Sequence, residues 1–162
     1  MTQAPIPARL TGKEKLAGVV GAAALGLIAV VGASEGFSND PYNDIVGIPT
    51  VCYGETRVEM RRYSTAECDD MLAEGLADFA SGVIERNPEL KGHDAQLLAA
   101  TSLAYNIGIG AYRRSTVAKR FSAGNWRGAC NAFLSWNRAG GRPVRGLTLR
   151  REKERAICLR GL

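Results

Sequence analysis

The sequence has 162 residues, of which 46% are hydrophobic, and it carries a formal net charge of +5. That length suits one soluble domain, or one domain with an anchor, and leaves no room for several large domains. Many basic residues lie near the C-terminus, and a basic surface favours a polyanion such as nucleic acid, anionic lipid or an acidic polymer. A solvated, arginine-rich helix face has the same composition.

The cysteines predict disulfides, because four Cys and a single His contain no Cys-x-x-Cys pair and no zinc-type ligand spacing. We therefore expect no metal site and no cofactor. An even number of cysteines suits two disulfides in an oxidising compartment. Four cysteines allow three pairings. We favour Cys52 with Cys68 and Cys130 with Cys158, because each pair closes a short loop.

The N-terminal part of the chain predicts a weakly apolar helix that ends on an acid. Residues 1–15 are polar and basic, an uncharged run extends from Leu16 to Ser34, and Glu35 follows at once. As a helix this run spans roughly 28 Å at ~1.5 Å per residue, close to the ~30 Å hydrocarbon core of a bilayer. Over half of its residues are Gly, Ala or Ser, so we expect the helix to insert into the bilayer but to be only weakly anchored there. The flanking basic residues predict a cytoplasmic N-terminus.

Three other interpretations of this run remain open on composition alone. It resembles a cleaved signal peptide at its small residues 32–34, although it is longer than a usual apolar signal core. Gly18, Ala22 and Gly26 recur every four residues and could form a helix-pairing face. A Gly- and Ala-rich helix can also lie in the core of a soluble protein.

Beyond Glu35 the sequence predicts a loop, a small β-hairpin and then helices. Asn, Asp, Pro and Gly are frequent from 37 to 56, and Gly47 falls near the bend. Ser64 and Glu67 form a capping box at the start of the next helix. The other expected features are helix caps at Asp94, Ser115 and Asn125, a stop at Pro88, one core helix holding Trp126 and Trp136, and a glycine just after the last helix at Gly161. The pattern is that of an α+β fold.

Glu35, Asp44 and Thr50 are the candidate catalytic residues, in the pattern E-x8-D-x5-T. Cleavage of a glycosidic bond needs an acid for the leaving oxygen and a second carboxylate that activates water or stabilises the cation-like transition state. Glu35 ends an apolar helix, where burial would keep it protonated. Asp44 has a more polar setting, which suits an ionised partner. Thr50 could position a water, although such spacing also arises by chance.

Three sequence blocks resemble the phage-type lysozyme family. "EGFSNDPYNDIVGIPTVCYGET" resembles the family's E-G, Y-x-D and G-x-x-T signature. "YNIGIGAYRRST" resembles its N-x-G-x-G-x-x-x-S-T block, and "WNRAGGRPVRGLTLRREKERAICL" its W-x-x-A-G-G…R-R-x-x-E block. The blocks occur in the family's order and extend from Glu35 to Cys158, about three quarters of the chain.

The resemblance implies a lysozyme-like fold and an inverting hydrolysis of peptidoglycan between N-acetylmuramic acid and N-acetylglucosamine. In that family a Glu, an Asp and a Thr are catalytic, which here are Glu35, Asp44 and Thr50. It also implies a lysozyme-like domain over residues 35–162 and no nucleic-acid partner. The residues we expect to bind substrate are Tyr42, Asn106, Gly108 and Gly110. For Asn106 a helix C-cap is an equal alternative.

Residues 1–34 resemble the N-terminus of signal-anchor-release endolysins, a class within the same family. In that class the first helix is exported uncleaved and later leaves the bilayer. The resemblance implies a host inner-membrane protein that faces the periplasm and is then released into it as a monomer. While Leu16–Ser34 spans the membrane, Glu35 is held at the lipid surface. Because no cysteine lies in this segment, we expect the disulfides to be structural.

One residue departs from the family pattern, and two other functions compete with hydrolysis. Glu55 stands where many relatives have His; we expect it to face solvent, although it could instead perturb a neighbouring carboxyl group. A lytic transglycosylase needs no water, so Asp44 and Thr50 would be expendable. An inactive, membrane-anchored wall-binding protein would keep the fold and release no sugar.

Overall fold

The computed structural model describes residues 9–162, in which it has eight α-helices and four short β-strands. The helices are α1 (Gly12–Val20), α2 (Ala24–Gly32), α3 (Thr65–Arg86), α4 (Asp94–Ile107), α5 (Ile109–Arg114), α6 (Thr116–Ser122), α7 (Trp126–Ala132) and α8 (Arg145–Cys158). The strands are β1 (Ser38–Asn43), β2 (Pro49–Cys52), β3 (Arg138–Ala139) and β4 (Arg142–Pro143). The predicted α+β class is confirmed.

The N-terminal apolar segment forms two helices, where the sequence predicts a single one. A 3-10 turn separates α1 from α2 and begins at Gly21, whose φ of 58° and ψ of −132° are open to glycine and strained for other residues. The range Gly12–Gly32 has 21 residues and a mean hydropathy of 2.0, so it is long and apolar enough to cross a membrane. In this structure it packs on the rest of the chain.

The two N-terminal helices bury their large residues and expose their small ones. Leu16, Val20, Leu27 and Val31 are all at most 4% exposed and join the main core with residues of α3 and α4. The opposite face consists mainly of Gly and Ala, together with Leu25, which is 76% exposed. One helical face therefore supplies nearly all of the apolar packing of this segment.

The start of α1 is fixed to α3 by a carboxylate and by close backbone packing. The Asp70 carboxylate accepts hydrogen bonds from the backbone N–H groups of Gly12 and Lys13, both at 3.0 Å. A Cβ atom on Gly12 would lie 2.0 Å from the backbone oxygen of Asp70, so only glycine fits there. Lys15 forms an ion pair with Glu74 one helical turn further along α3. These contacts set the position of α1 on the domain.

Most of the helix starts and stops follow the predicted caps. The capping box of Ser64 and Glu67 is present at the start of α3, and the side chains of Ser115 and Asn125 cap α6 and α7. The cap predicted at Asp94 is wrong, because α4 begins at Asp94 and no side chain caps it. The single helix predicted for the two tryptophans is also wrong, since α7 ends at Ala132 and a 3-10 turn precedes Trp136.

The predicted hairpin is β1 paired antiparallel with β2, and it rests on a small core of its own. Tyr42 pairs with Thr50 in this hairpin, which has an irregular register nearer its base. A disulfide joins Cys52 of β2 to Cys68 of α3, and a second joins Cys130 to Cys158. This is the pairing that loop length favoured. The second hairpin, β3 with β4, has two residues in each strand and was not predicted.

Candidate active site

Glu35 lies directly after α2 and is connected to the C-terminal helix. Its backbone N–H donates to the carbonyl oxygens of Val31 and Gly32 at 3.2 and 3.3 Å, which continues the helical turn. Its side chain is 26% exposed, and Arg150 Nη1 donates to its Oε1 at 2.9 Å. The Glu35 carboxyl is therefore held by a guanidinium group that arrives from the opposite end of the sequence.

Arg150 belongs to a buried ionic cluster that also contains Arg151, Glu154 and Ser102. The Glu154 side chain is 1% exposed, and its Oε1 accepts from Arg150 Nε at 3.3 Å and from Arg151 Nη2 at 2.9 Å. Ser102 Oγ of α4 donates to the same oxygen at 2.6 Å. Burial raises the pKa of Glu154, which the arginines and Ser102 oppose, and burial lowers the pKa of Arg151.

Asp44 is fixed by the turn of the first hairpin. Its Oδ1 accepts from the backbone N–H groups of Val46 and Ile48, both at 2.9 Å, and its own N–H donates to the Ile48 oxygen at 3.0 Å. The other carboxylate oxygen, Oδ2, makes no hydrogen bond within residues 9–162. One carboxylate oxygen thus orients the side chain.

Thr50 lies on β2 and is oriented by the same turn. Its hydroxyl donates to the Ile48 carbonyl oxygen at 2.9 Å, and the residue is 3% exposed. Because the hydroxyl proton is engaged, the lone pairs of Oγ1 are the part of Thr50 that can meet a ligand. Tyr42 faces Thr50 across the hairpin and is 39% exposed. Ile48 therefore couples the positions of Asp44 and Thr50.

Tyr105, near the end of α4, lies within the electrostatic reach of two carboxyl groups. Burial, followed by the charges of Glu35 and Glu55, raises the pKa of Tyr105 to about 12, and Arg150 opposes this shift. Glu55 is half-buried, and burial raises its pKa. The charge of Arg57 opposes this shift, and the charge of Glu74 adds a smaller increase. The expectation that Glu55 faces solvent is wrong, because the residue is only partly exposed. Its backbone forms a bridge with Val51.

The predicted substrate-binding segment lies directly after Tyr105. α4 ends at Ile107, and Gly108 has a φ of 88°, which permits the sharp turn into α5. Asn106 is exposed and lies inside α4, so the C-cap alternative is wrong: the cap is Gly108. Gly110 lies in the first turn of α5. Sugar binding by Tyr42, Asn106, Gly108 and Gly110 stays a prediction.

Sequence reasoning missed the role of Arg150, although a signal for it is present. The buried face of α8 consists of Arg150, Arg151, Glu154, Ile157 and Cys158, at helical spacing. Charged residues among the apolar positions of one helical face indicate a paired, buried cluster rather than a solvated face. That pattern could have identified the cluster, but not its contact with Glu35 more than a hundred residues away.

Comparison with known proteins identifies the family. Residues 32–154 match the family described as Phage lysozyme. The SAR-endolysin of Enterobacteria phage P21 is 39% identical over 151 residues, which are 87% of this chain and 90% of that protein.

Two solved structures extend the similarity to the fold. The active form of P1 phage endolysin Lyz has a TM-score of 0.69 at 28% identity and covers 96% of this chain and 97% of its own. The endolysin from Escherichia coli O157:H7 phage FAHEc1 has a TM-score of 0.71 at 28% identity, covering 84% and 92%. The family match covers most of the chain, so this protein belongs to the phage lysozyme family and is a glycoside hydrolase, a muramidase.

Proposed function

We propose that this protein is an endolysin, which hydrolyses the β-1,4 bond between N-acetylmuramic acid and N-acetylglucosamine in host peptidoglycan and so lyses the host cell. We further propose that it is inactive while residues 1–34 tether it to the inner membrane, and active after release. The observation that carries both proposals is the position of Glu35. It follows a membrane-length apolar segment directly and is held by Arg150 when that segment is packed.

In the proposed reaction Glu35 is the general acid. It protonates the glycosidic oxygen of the leaving sugar as the bond to the anomeric carbon breaks. Arg150 orients its carboxyl group by a hydrogen bond at 2.9 Å to Oε1, and Oε2, which makes no hydrogen bond within residues 9–162, can face substrate. Tyr105 of α4 has a pKa of about 12 and therefore stays neutral beside it.

Asp44 and Thr50 act on the attacking water. Asp44 accepts a proton from water through its free Oδ2, while Oδ1 keeps the side chain in place. Thr50 Oγ1 accepts a hydrogen bond from the same water, because its own proton is donated to Ile48. This assignment predicts inversion at the anomeric carbon, for which the two carboxyl groups should be ~6.5–9.5 Å apart.

The tether leads directly into the active site at Glu35, which supports control by release. Glu35 follows closely on the end of α2 at Gly32, so a membrane-spanning segment would hold Glu35 at the lipid surface. There the segment could not also bury Leu16 and Leu27 in the main core. Release would then allow α1 and α2 to pack on α3 and α4 and bring Glu35 to Arg150. The relative from phage P21 is itself named a SAR-endolysin.

This topology predicts where the enzyme acts. The basic residues before Leu16 would stay in the cytoplasm while the domain of residues 35–162 lies in the periplasm. Both disulfides suit that oxidising compartment. After release we expect a periplasmic monomer.

Replacement of Glu35 by Gln tests the reaction. Purified full-length protein, E35Q and a control variant, E59Q, are incubated with peptidoglycan, and the released reducing ends and muropeptides are analysed. Because an amide cannot donate the proton, we expect E35Q to lose activity by at least ~10²-fold, while E59Q at an exposed loop position stays active. Circular dichroism checks that the fold is kept. Anhydro-muramic ends would identify a transglycosylase, and no release by the wild type would identify an inactive wall binder.

A further inference from the structure

A buried ionic cluster of Ser102, Arg150, Arg151 and Glu154 lies behind Glu35. We propose that Glu154 is a positioning residue for Glu35: it holds Arg150 in the orientation that reaches the acid and balances its charge, so that Glu35 remains a proton donor. The inference rests on the proposed role of Glu35 as the general acid. Glu154 itself touches no substrate, and it acts only through Arg150.

The geometry forms a chain of contacts from α4 through α8 to the acid that follows α2. Ser102 Oγ of α4 donates to Glu154 Oε1 at 2.6 Å, and Arg150 Nε donates to the same oxygen at 3.3 Å. The other end of the same guanidinium, Nη1, donates to Glu35 Oε1 at 2.9 Å. Because a guanidinium group is planar and rigid, fixing its Nε edge also fixes the direction of Nη1. Glu154 therefore determines where Arg150 presents its donor to Glu35.

Glu154 supplies a buried negative charge beside two guanidinium groups, and Glu35 adds a second negative charge only when it is ionised. Arg151 contributes the second cation, with its Nε 2.8 Å from Glu154 Oε2 and a side chain that is 0% exposed. Glu154 shares its negative charge between Arg150 and Arg151, which limits the attraction of Arg150 for an ionised Glu35. Tyr105 of α4 is neutral and interacts with the charges of both Glu35 and Glu55. Two further cations of the C-terminal helix and its end, Lys153 and Arg160, line the pocket next to Ser34, Arg150 and Glu154.

Removing the charge of Glu154 should leave Glu35 protonated over a narrower pH range. In a Glu154→Gln variant the cluster has one carboxylate against two guanidinium groups, so Arg150 interacts more strongly with ionised Glu35. Glu35 then loses its proton at lower pH. Since a general acid works only while protonated, the limb on which activity falls with rising pH should move to lower pH. The glutamine keeps the shape and one acceptor for Ser102, and its NH2 group takes the place of Oε2 beside Arg151 Nε.

The test is the pH dependence of kcat for full-length wild type, E154Q and a matched control, E152Q. Glu152 lies on the same helix, two residues away, and is exposed, so E152Q makes the same charge change in solvent. On soluble glycan strands we expect the high-pH limb of E154Q about one pH unit lower, kcat at neutral pH about tenfold lower and KM within about twofold of wild type. E152Q should superimpose on wild type.

The inference would be overturned if E154Q is less active than wild type but the high-pH limb of its kcat profile lies at the same pH. A purely structural role reduces activity without moving that limb. If E154Q does not fold, Ser102→Ala decides the question, because it removes the hydrogen bond from Ser102 to Glu154. A high-pH limb that moves to lower pH by less than one unit supports the inference, and an unchanged limb overturns it. The E35Q experiment is run in parallel. An active E35Q variant contradicts the proposed function itself, whereas an inactive E35Q with an unshifted E154Q limb contradicts only the role of Glu154.

Discussion

Asp44 illustrates how single residues are prepared for their proposed roles. The side chain that must accept a proton is held by two backbone N–H groups of its own turn, at 2.9 Å each. Backbone donors fix the orientation of a side chain more firmly than another side chain does, because the hairpin register sets the positions of the N–H groups. The hairpin therefore supplies Asp44 already oriented, and the other carboxylate oxygen stays open.

A substitution of Asp44 by Asn separates orientation from charge. The amide oxygen of D44N can still accept from Val46 and Ile48, so the turn should keep its shape, but the side chain can no longer act as a base. We expect the rate of reducing-sugar release to fall by ~10²–10⁴-fold. Asp40→Asn is the control, since Asp40 lies on β1, the strand that leads to Asp44, and forms an exposed ion pair with Arg62. D44N with more than a tenth of wild-type activity would exclude the base role and favour a transglycosylase.

The hairpin that carries Asp44 and Thr50 was predictable from the sequence because its signal is local. Asp44 and Thr50 are six positions apart, and a hairpin between them could be recognised from Gly47 and its neighbours. Arg150 was missed because its contact with Glu35 joins opposite ends of the chain, which no local spacing reveals. Glu55 was wrongly expected in solvent: it is half-buried, and its charge acts on Tyr105 of α4, a contact between distant parts of the sequence.

At the scale of elements, the same residues of α1 and α2 must suit both packing on the domain in water and insertion in a bilayer. The buried positions on α1 and α2 recur at helical spacing on one face and carry Leu and Val, while the exposed face is mostly Gly and Ala. In water this division leaves little apolar surface exposed. In a bilayer the same small residues gain little from lipid, so the helix holds weakly. Both properties follow from placing the large residues on a single face.

Gly21 allows the backbone of the N-terminal segment to adopt different conformations in a bilayer and on the domain. A bilayer requires one continuous helix of about 20 residues, whereas the packed segment breaks at Gly21 with φ 58°. Alanine at this position would favour the continuous helix by ~1 kcal/mol and destabilise the left-handed conformation by a further ~1–2 kcal/mol. A methyl group added at Gly21 would meet no atom within 4 Å, so sterics do not intervene.

We therefore expect Gly21→Ala to retain more protein in the membrane. After expression, the membrane and soluble fractions are separated and quantified, and G21A should show a several-fold smaller soluble fraction than wild type. Gly18→Ala is the matched control: Gly18 lies within α1, is equally free of neighbours and needs no special backbone conformation. Equal soluble fractions for G21A and G18A would exclude Gly21 as the point where the helix breaks.

The capping box of α3 gives a stability prediction with a defined pH range. Hydrogen bonds from the Ser64 backbone, and then from Arg61 and the Ser64 hydroxyl, lower the pKa of Glu67 from 4.5 to about 2. A lowered carboxyl pKa contributes stability above pH 4.5, and that contribution is lost as the pH falls towards 2. The difference in unfolding free energy between wild type and Glu67→Gln should therefore be constant above about pH 5 and shrink below it. A difference that does not change between pH 6 and 2.5 would contradict this assignment.

Elements with strong local signals were predictable, and the shortest ones were not. The caps at Ser64, Ser115 and Asn125 were recognised because a side chain three residues from its partner is a local feature. The break at Gly21 was not, since glycine occurs throughout that run and only packing on α3 selects one position. The strands β3 and β4 have two residues each, too few for an alternating pattern.

On the scale of the whole molecule, the chain closes into one structure by contacts between its two ends. α1 and α2 pack on α3 and α4, and Glu35 reaches Arg150 of α8, the last helix. The disulfide between Cys52 and Cys68 joins the hairpin to the start of α3, and the other joins α7 to the end of α8. Among the residues 9–162 that the structure describes, only the N-terminal segment Gly12–Gly32 is long and apolar enough to cross a membrane.

The most direct test of this account compares the same full-length chain in its two locations. Equal amounts of membrane-bound and released protein are assayed on soluble glycan strands, which reach both forms and so remove access to the wall as a variable. The account predicts activity in the released fraction and at most about a hundredth of it in the membrane fraction, because Glu35 is withheld there. Equal specific activity in the two fractions would show that Glu35 is already in place in the membrane and would contradict control by release.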